Sequence, residues 1–174
     1  MNRTLVALLG LIIVTGCSDS SGSESQVAQL GPVSFEIPEP WRRSDTSRPG
    51  SMTSVWTPPS NARKESVSVI RSERSQASLR QIEQQLVGAQ QSLRGGRIST
   101  VTPVTTEQGL RGSRIEVRFR PDLPGTNERM YRRIHVVLVE EDALIHVLYT
   151  SAMVDGDLAA LDLVLATIRQ EAQS

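Results

Sequence analysis

Near the front of the chain Val33-Ser-Phe-Glu-Ile37 alternates apolar and polar residues with a period of two, and Ser54-Val-Trp-Thr57 and Ser66-Val-Ser-Val-Ile70 repeat its short, β-branched character. Alternation gives a strand one apolar face and short β-branched runs favour strands, so each stretch predicts a strand, and Pro38 closes the first. The period then changes. Leu79, Ile82, Leu86, Ala89 and Leu93 recur at helical spacing, with Ser78 and Gln81 placed as a capping box and Gly95-Gly96 as the stop. Four further strands are expected at about residues 98–105, 110–120, 128–139 and 143–151. Turns at Pro121-Asp-Leu-Pro-Gly125 and Glu140-Glu-Asp142 join the last three into a meander of hairpins.

Within Arg114-Ile-Glu-Val-Arg-Phe-Arg120, Ile115, Val117 and Phe119 are expected to face inward and the charges to face water. Ile134-His-Val-Val-Leu-Val139 and Ala143-Leu-Ile-His-Val-Leu-Tyr149 are apolar on both faces, as central strands covered on both sides would be. Asp157 is placed to cap a last helix with Leu158, Leu161, Leu165 and Ile168 in one stripe. The order βββαββββα predicts an α+β fold: an antiparallel sheet of about six or seven strands with helices packed on it.

The first residues follow a different logic. A basic start at Arg3 precedes ten apolar residues, 5–14, and then Thr15-Gly16-Cys17. That is the layout of a secretory signal peptide, with an apolar run far short of a bilayer span. Val14-Thr15-Gly16-Cys17 resembles the bacterial lipobox. The resemblance implies that residues 1–16 are removed and that Cys17 carries acyl chains holding the protein to the membrane. Cys17 is the only cysteine, so it has no disulfide partner within the chain. Ser18 follows it rather than Asp, which by likeness to enterobacterial sorting rules favours the periplasmic face of the outer membrane in a cell with two membranes. Residues 18–29 are small and polar and read as a flexible tether, leaving 30–174 as a single domain.

The strand, Pro and Trp of Val33-Ser-Phe-Glu-Ile-Pro-Glu-Pro-Trp41, taken with the element order, resemble the PsbP-like α/β sandwich, a superfamily that includes DcrB-like bacterial lipoproteins. Pro40 stands where members usually have Gly. The resemblance covers nearly the whole domain and implies a sheet layered with helices.

Charge and chemistry then exclude several activities. Residues 30–174 hold 18 Lys or Arg against 17 Asp or Glu, a balance that calls for no nucleic-acid partner. Lys64 is the only lysine and no Gly-Lys pair exists, which excludes a P-loop and a Ser-x-x-Lys nucleophile. No Gly-x-Ser-x-Gly elbow occurs. His135 and His146 are eleven residues apart on adjacent predicted strands and can approach across the sheet. Both sit in apolar runs, which predicts half-buried core histidines rather than metal ligands. The acids of Glu140-Glu-Asp142 read as a solvated turn, and Asp155-Gly-Asp157 as a turn with a helix cap. No catalytic residue, metal or cofactor is expected.

One charge asymmetry stands out. Residues 94–133 carry nine arginines against four acids, whereas 134–174 carry Arg169 against seven acids. Arg114, Arg118, Arg120 and Arg132 fall on one predicted hairpin, where their planar forks suit carboxylates or phosphates of an envelope protein partner or of anionic lipid. The leading expectation is therefore a membrane-anchored, non-catalytic interaction or assembly module. A binding protein for a small apolar or anionic ligand, which needs a pocket of roughly 300 Å³ or more, and a hydrolase with an unfamiliar site are the alternatives.

Overall fold

The computed structural model describes residues 24–60, 64–73, 77–93, 96–120, 130–140, 143–152 and 157–171. The elements are β1 (Ser25–Leu30), β2 (Val33–Pro38), β3 (Arg42–Arg48), β4 (Ser51–Thr57), β5 (Ser66–Glu73), α1 (Leu79–Gln91), β6 (Arg97–Thr105), β7 (Arg111–Phe119), β8 (Tyr131–Val139), β9 (Ala143–Ser151), α2 (Ala159–Thr167) and β10 (Arg169–Gln170). Seven strands form an antiparallel sheet in the order β3-β4-β5-β9-β8-β7-β6, and β1-β2-β10 form a second, smaller sheet. The expected α+β class and antiparallel sheet are what the chain adopts.

Alternation explains the layering. Side chains at even spacing on one strand share a face with their register partners on the next. Val67 and Val69, Tyr149, Val147 and Ile145, and Ile134, Val136 and Leu138 therefore line one face of the large sheet. They form one buried core with Val33, Phe35 and Ile37 of β2 and with Ala160, Leu161, Val164 and Ile168 of α2. We call this the core face. The opposite, helix face meets α1, which packs on β6 and β7. There Ile115, Val117 and Phe119 are buried, and the Ser113 hydroxyl donates to the Glu83 carboxylate of α1.

Helix α1 begins as its sequence dictates. The Ser78 hydroxyl accepts from the Gln81 backbone N–H, and the Gln81 side chain accepts from the Ser78 N–H. The helix closes at Ser92, just before the expected stop; Gly96 donates to the Leu93 carbonyl, and Gly95 lies outside the described residues. At α2 the Asp157 carboxylate accepts from Ala159 N–H at 3.0 Å. The helical cap position itself is Leu158.

Several expectations are corrected. The domain does not start at Leu30: residues 25–30 pair along β2, and Ala28 and Leu30 are buried, so the expected tether ends by residue 24. The strand at Val33 belongs to the second sheet, because its apolar face is what covers the large one. Strands β3 and β10 were not foreseen. All seven residues of β3 are exposed, and its pairing comes from β4 rather than from an apolar stripe of its own. Glu140 is not a solvated turn residue; it is buried and ion-paired with Arg71, Nε to Oε2 3.9 Å. Glu141, Asp142, Asp155 and Cys17 lie outside the described residues. Among the described residues no helix is long and apolar enough to cross a membrane.

The two outer strands are blunted against further pairing. Strand β3 displays Arg42, Arg43, Asp45 and Arg48, and β6 carries Pro103 and an irregularity between Ile98 and Thr100.

Two glycines test the packing. A Cβ on Gly112 would overlap the Val137 carbonyl of β8. Gly112→Ala should therefore lower stability by about 1–3 kcal/mol in urea denaturation. Gly88 of α1 has open space around it, so Gly88→Ala should raise stability by about 0.5–1 kcal/mol in the same assay. Equal effects at the two sites would contradict the assigned pairing.

Candidate functional site

The arginines singled out by sequence fall at one corner of the large sheet. Register pairs Arg97 with Arg118, and Arg118 with Arg132. Three arginines thus stand side by side across β6, β7 and β8, on the core face. Arg114 lies four residues along β7 on the same face, half-buried between the positions of Thr102 and Val136. Arg120 follows the end of β7, and its Nε–H donates to the Met130 sulfur at 3.3 Å.

A local irregularity makes this row. Ile98 pairs with Val117 but Thr100 pairs with Glu116, so Ser99 is an extra residue in β6. With strict alternation from Thr100, Ile98 would take the core face and Arg97 the helix face. The bulge reverses both. Ile98 joins Val117 on the helix face, and Arg97 comes round beside Arg118. Sequence reading left Arg97 out of the cluster because nothing in Arg97-Ile-Ser-Thr100 announces a bulge.

Glu116 is the acid within the row. Arg132 Nε and Nη2 donate to Glu116 Oε1 and Oε2 at 3.1 and 2.9 Å, a two-pronged pair with both side chains mostly covered. Glu116 thus belongs to a half-buried ion pair rather than to the wet face expected from sequence. Arg97 and Arg118 are exposed. Arg133 points the other way: its guanidinium sits 4.4 Å above the Phe119 ring and 3.4 Å from Gln90 Oε1, and burial lowers its pKa.

The row continues into a polar strut. Tyr149, on β9 beside Ile134, donates its hydroxyl towards Glu65 Oε1 at 3.1 Å and the Asp157 carbonyl at 3.2 Å. Burial, reinforced by the Glu65 charge, pushes the phenol up to about 12. Tyr149 is a neutral tie between β5, β9 and the start of α2.

The two histidines do meet. His135 Nδ1 and His146 Nε2 are 2.9 Å apart on the helix face, with ring centroids 5.1 Å apart. Among the described residues no third His, Cys, Asp or Glu completes a metal site, and each histidine's hydrogen bond goes to the other rather than to a serine or an acid. A recess between β1, β2 and α2, lined by Val27, Ser34, Phe35, Glu36, Thr167 and Arg169, has a volume of about 10 Å³. That is space for about one water, far below a small-molecule site.

Burial pushes His135 down to about 3, helped by His146 and Arg133, and burial pushes His146 down to about 4. Both are neutral in the native chain at pH values where an unfolded imidazole, with its ordinary value of 6.5, takes up a proton. Below that value the unfolded state binds more protons, so stability falls as pH drops towards 4, by up to about 1.4 kcal/mol per pH unit for each histidine. The double variant His135→Val, His146→Leu should flatten the pH dependence of the urea midpoint across that window. A slope unchanged by the double variant would remove the pair as its cause.

No family model matches the chain, and no curated protein matches it. Solved structures do resemble it. LpqN of Mycobacterium tuberculosis superposes with a TM-score of 0.56 at 16% identity, covering 83% of this chain and 90% of that one. The cyanobacterial PsbP, CyanoP, from Synechocystis sp. PCC 6803 superposes with a TM-score of 0.55 at 20% identity, covering 90% and 98%. A Bacteroides thetaiotaomicron protein reaches 0.54 at 12% identity, covering 82% of this chain and 46% of that one. At these identities the likeness concerns the fold, and the fold is PsbP-like, as the strand, Pro and Trp opening implied.

Proposed function

We infer that the chain is an exported lipoprotein, attached by acyl groups on Cys17, whose domain serves the cell envelope as a non-catalytic interaction or assembly module. The observation that carries this reading is Val14-Thr15-Gly16-Cys17, containing the only cysteine and placed eight residues before the first strand. Two or more acyl chains hold durably where one holds marginally, so such a residue suffices as the attachment. The neighbour LpqN is involved in cell envelope biogenesis, which supports an envelope role here. A non-catalytic role is supported by the two histidines, whose facing nitrogens are bonded to each other, and by the ion-paired Glu116 and Glu140.

Cells fed labelled palmitate should label the wild-type chain and leave Cys17→Ser unlabelled. Label retained on Cys17→Ser would refute the anchor.

A further inference from the structure

The end of the large sheet that carries the arginine row is also the end at which the chain arrives from Cys17. Ser25 of β1 pairs with Pro38, Glu39 N–H donates to the Glu24 carbonyl at 2.8 Å, and Gln26 Nε2 donates to the Trp41 carbonyl at 3.1 Å. These bonds hold the chain's entry against the turn between β2 and β3. From there the register runs along one end of the sheet. Arg42 meets Thr57, Trp56 meets Val67, and Ser66 meets Thr150; Ser151 meets Arg132, then Arg132 meets Arg118 and Arg118 meets Arg97.

Because β1 starts at Ser25, eight chain steps separate it from Cys17, a reach of at most about 26–29 Å. The large sheet is itself about 29 Å across, with neighbouring strands about 4.8 Å apart. An anchor on Cys17 therefore holds this end within that reach of the membrane.

The charge at this end fits that neighbour. The corner of β6, β7 and β8 presents Arg97, Arg118, Arg120 and Arg132 against Glu116, and Arg42 and Lys64 lie at the same end. Among the described residues, the other acids there are Glu24 and Glu39 at the entry turn and Glu65 and Asp157 around Tyr149. Like charges directly opposed across strands destabilise a sheet. Two such contacts in succession, with Arg97 and Arg118 exposed, are costly for folding and well suited to a surface that supplies phosphates.

We propose that Arg97 and Arg118, the exposed members of the row, form a headgroup-binding edge that seats the domain end-on against the anionic lipids of the membrane holding its anchor. The proposal rests on the Cys17 reading for which membrane is meant, but not for whether the edge binds lipid. An acidic protein surface is the other occupant such a row would take, and its position at the tether end favours the bilayer.

The chain from Cys17 to Ser174 carrying Cys17→Ser, and so lacking any anchor, is sedimented with vesicles of phosphatidylcholine alone or mixed with phosphatidylglycerol. Binding should require phosphatidylglycerol and weaken as salt rises. Arg97→Glu with Arg118→Glu should reduce the bound-to-free ratio at least about tenfold. Arg118→Glu alone, which turns both opposed pairs into opposite-charge pairs, should raise Tm by about 1–4 °C. Arg48→Glu with Arg111→Glu makes the same change in net charge at the far end of the sheet and should bind as the parent does.

Equal loss in both pairs of variants, or binding indifferent to phosphatidylglycerol, overturns the proposal. So does binding by the row to an acidic envelope protein but not to vesicles. Palmitate labelling reads the anchor separately, so an unlabelled Cys17 with intact vesicle binding sinks only the anchor.

Discussion

The arrangement depends on one apolar contact, the burial of Val33, Phe35 and Ile37 against the core face of the large sheet. Each is at most 1% exposed, and each contributes about 1.5–3 kcal/mol on leaving water. Glu36 N–H, at the alternate position on β2, donates to the Thr167 hydroxyl of α2 at 2.8 Å, so strand and helix are fixed as one lid. Because β1 has its partner in β2 alone, this contact also decides where the chain enters the domain. Entry at the wrong end would place the arginine row on the far side of the protein from the anchor.

Much of this was legible in sequence because the responsible signals are local. Period-two runs marked β2 and β7, short β-branched or apolar runs marked β4, β5, β8 and β9, and Ser78 with Gln81 marked the start of α1, since all these patterns involve residues a few positions apart. Strands β1 and β3 were hidden for opposite reasons. Ser25-Gln-Val-Ala-Gln-Leu30 buries only small or terminal residues and reads as tether; Arg42-Arg-Ser-Asp-Thr-Ser-Arg48 buries nothing and is a strand through its partner alone. Glu140 looked like turn solvent because its ion-pair partner, Arg71, is on a strand distant in sequence.

The candidate site shows the same division. That Arg114, Arg118, Arg120 and Arg132 gather on one hairpin followed from counting along β7 and β8. That Arg97 joins the row and Arg133 leaves it followed from a bulge and from strand phase, which are properties of pairing. The result is a sheet with unlike ends and unlike faces. The core face is closed over β8 and β9 and open at the β6–β7 corner, where Thr100 and Thr102 are exposed beside the arginines. The helix face closes over a neutral histidine pair. Arg97 and Arg118 belong to the open part, where they are exposed to meet an anion.

The central claim is the orientation, with the arginine end against the bilayer and the opposite end away from it. On the proposed anchoring Cys17 carries lipid, so new single cysteines at Ser99 and at Glu107 can each carry a nitroxide, one near each end of β6. Power saturation on membranes containing anionic lipid should place the Ser99 label at the headgroups and the Glu107 label in water, up to about 26–27 Å farther out. Equal depths for the two labels, or a shallower distance at Glu107, would contradict the account.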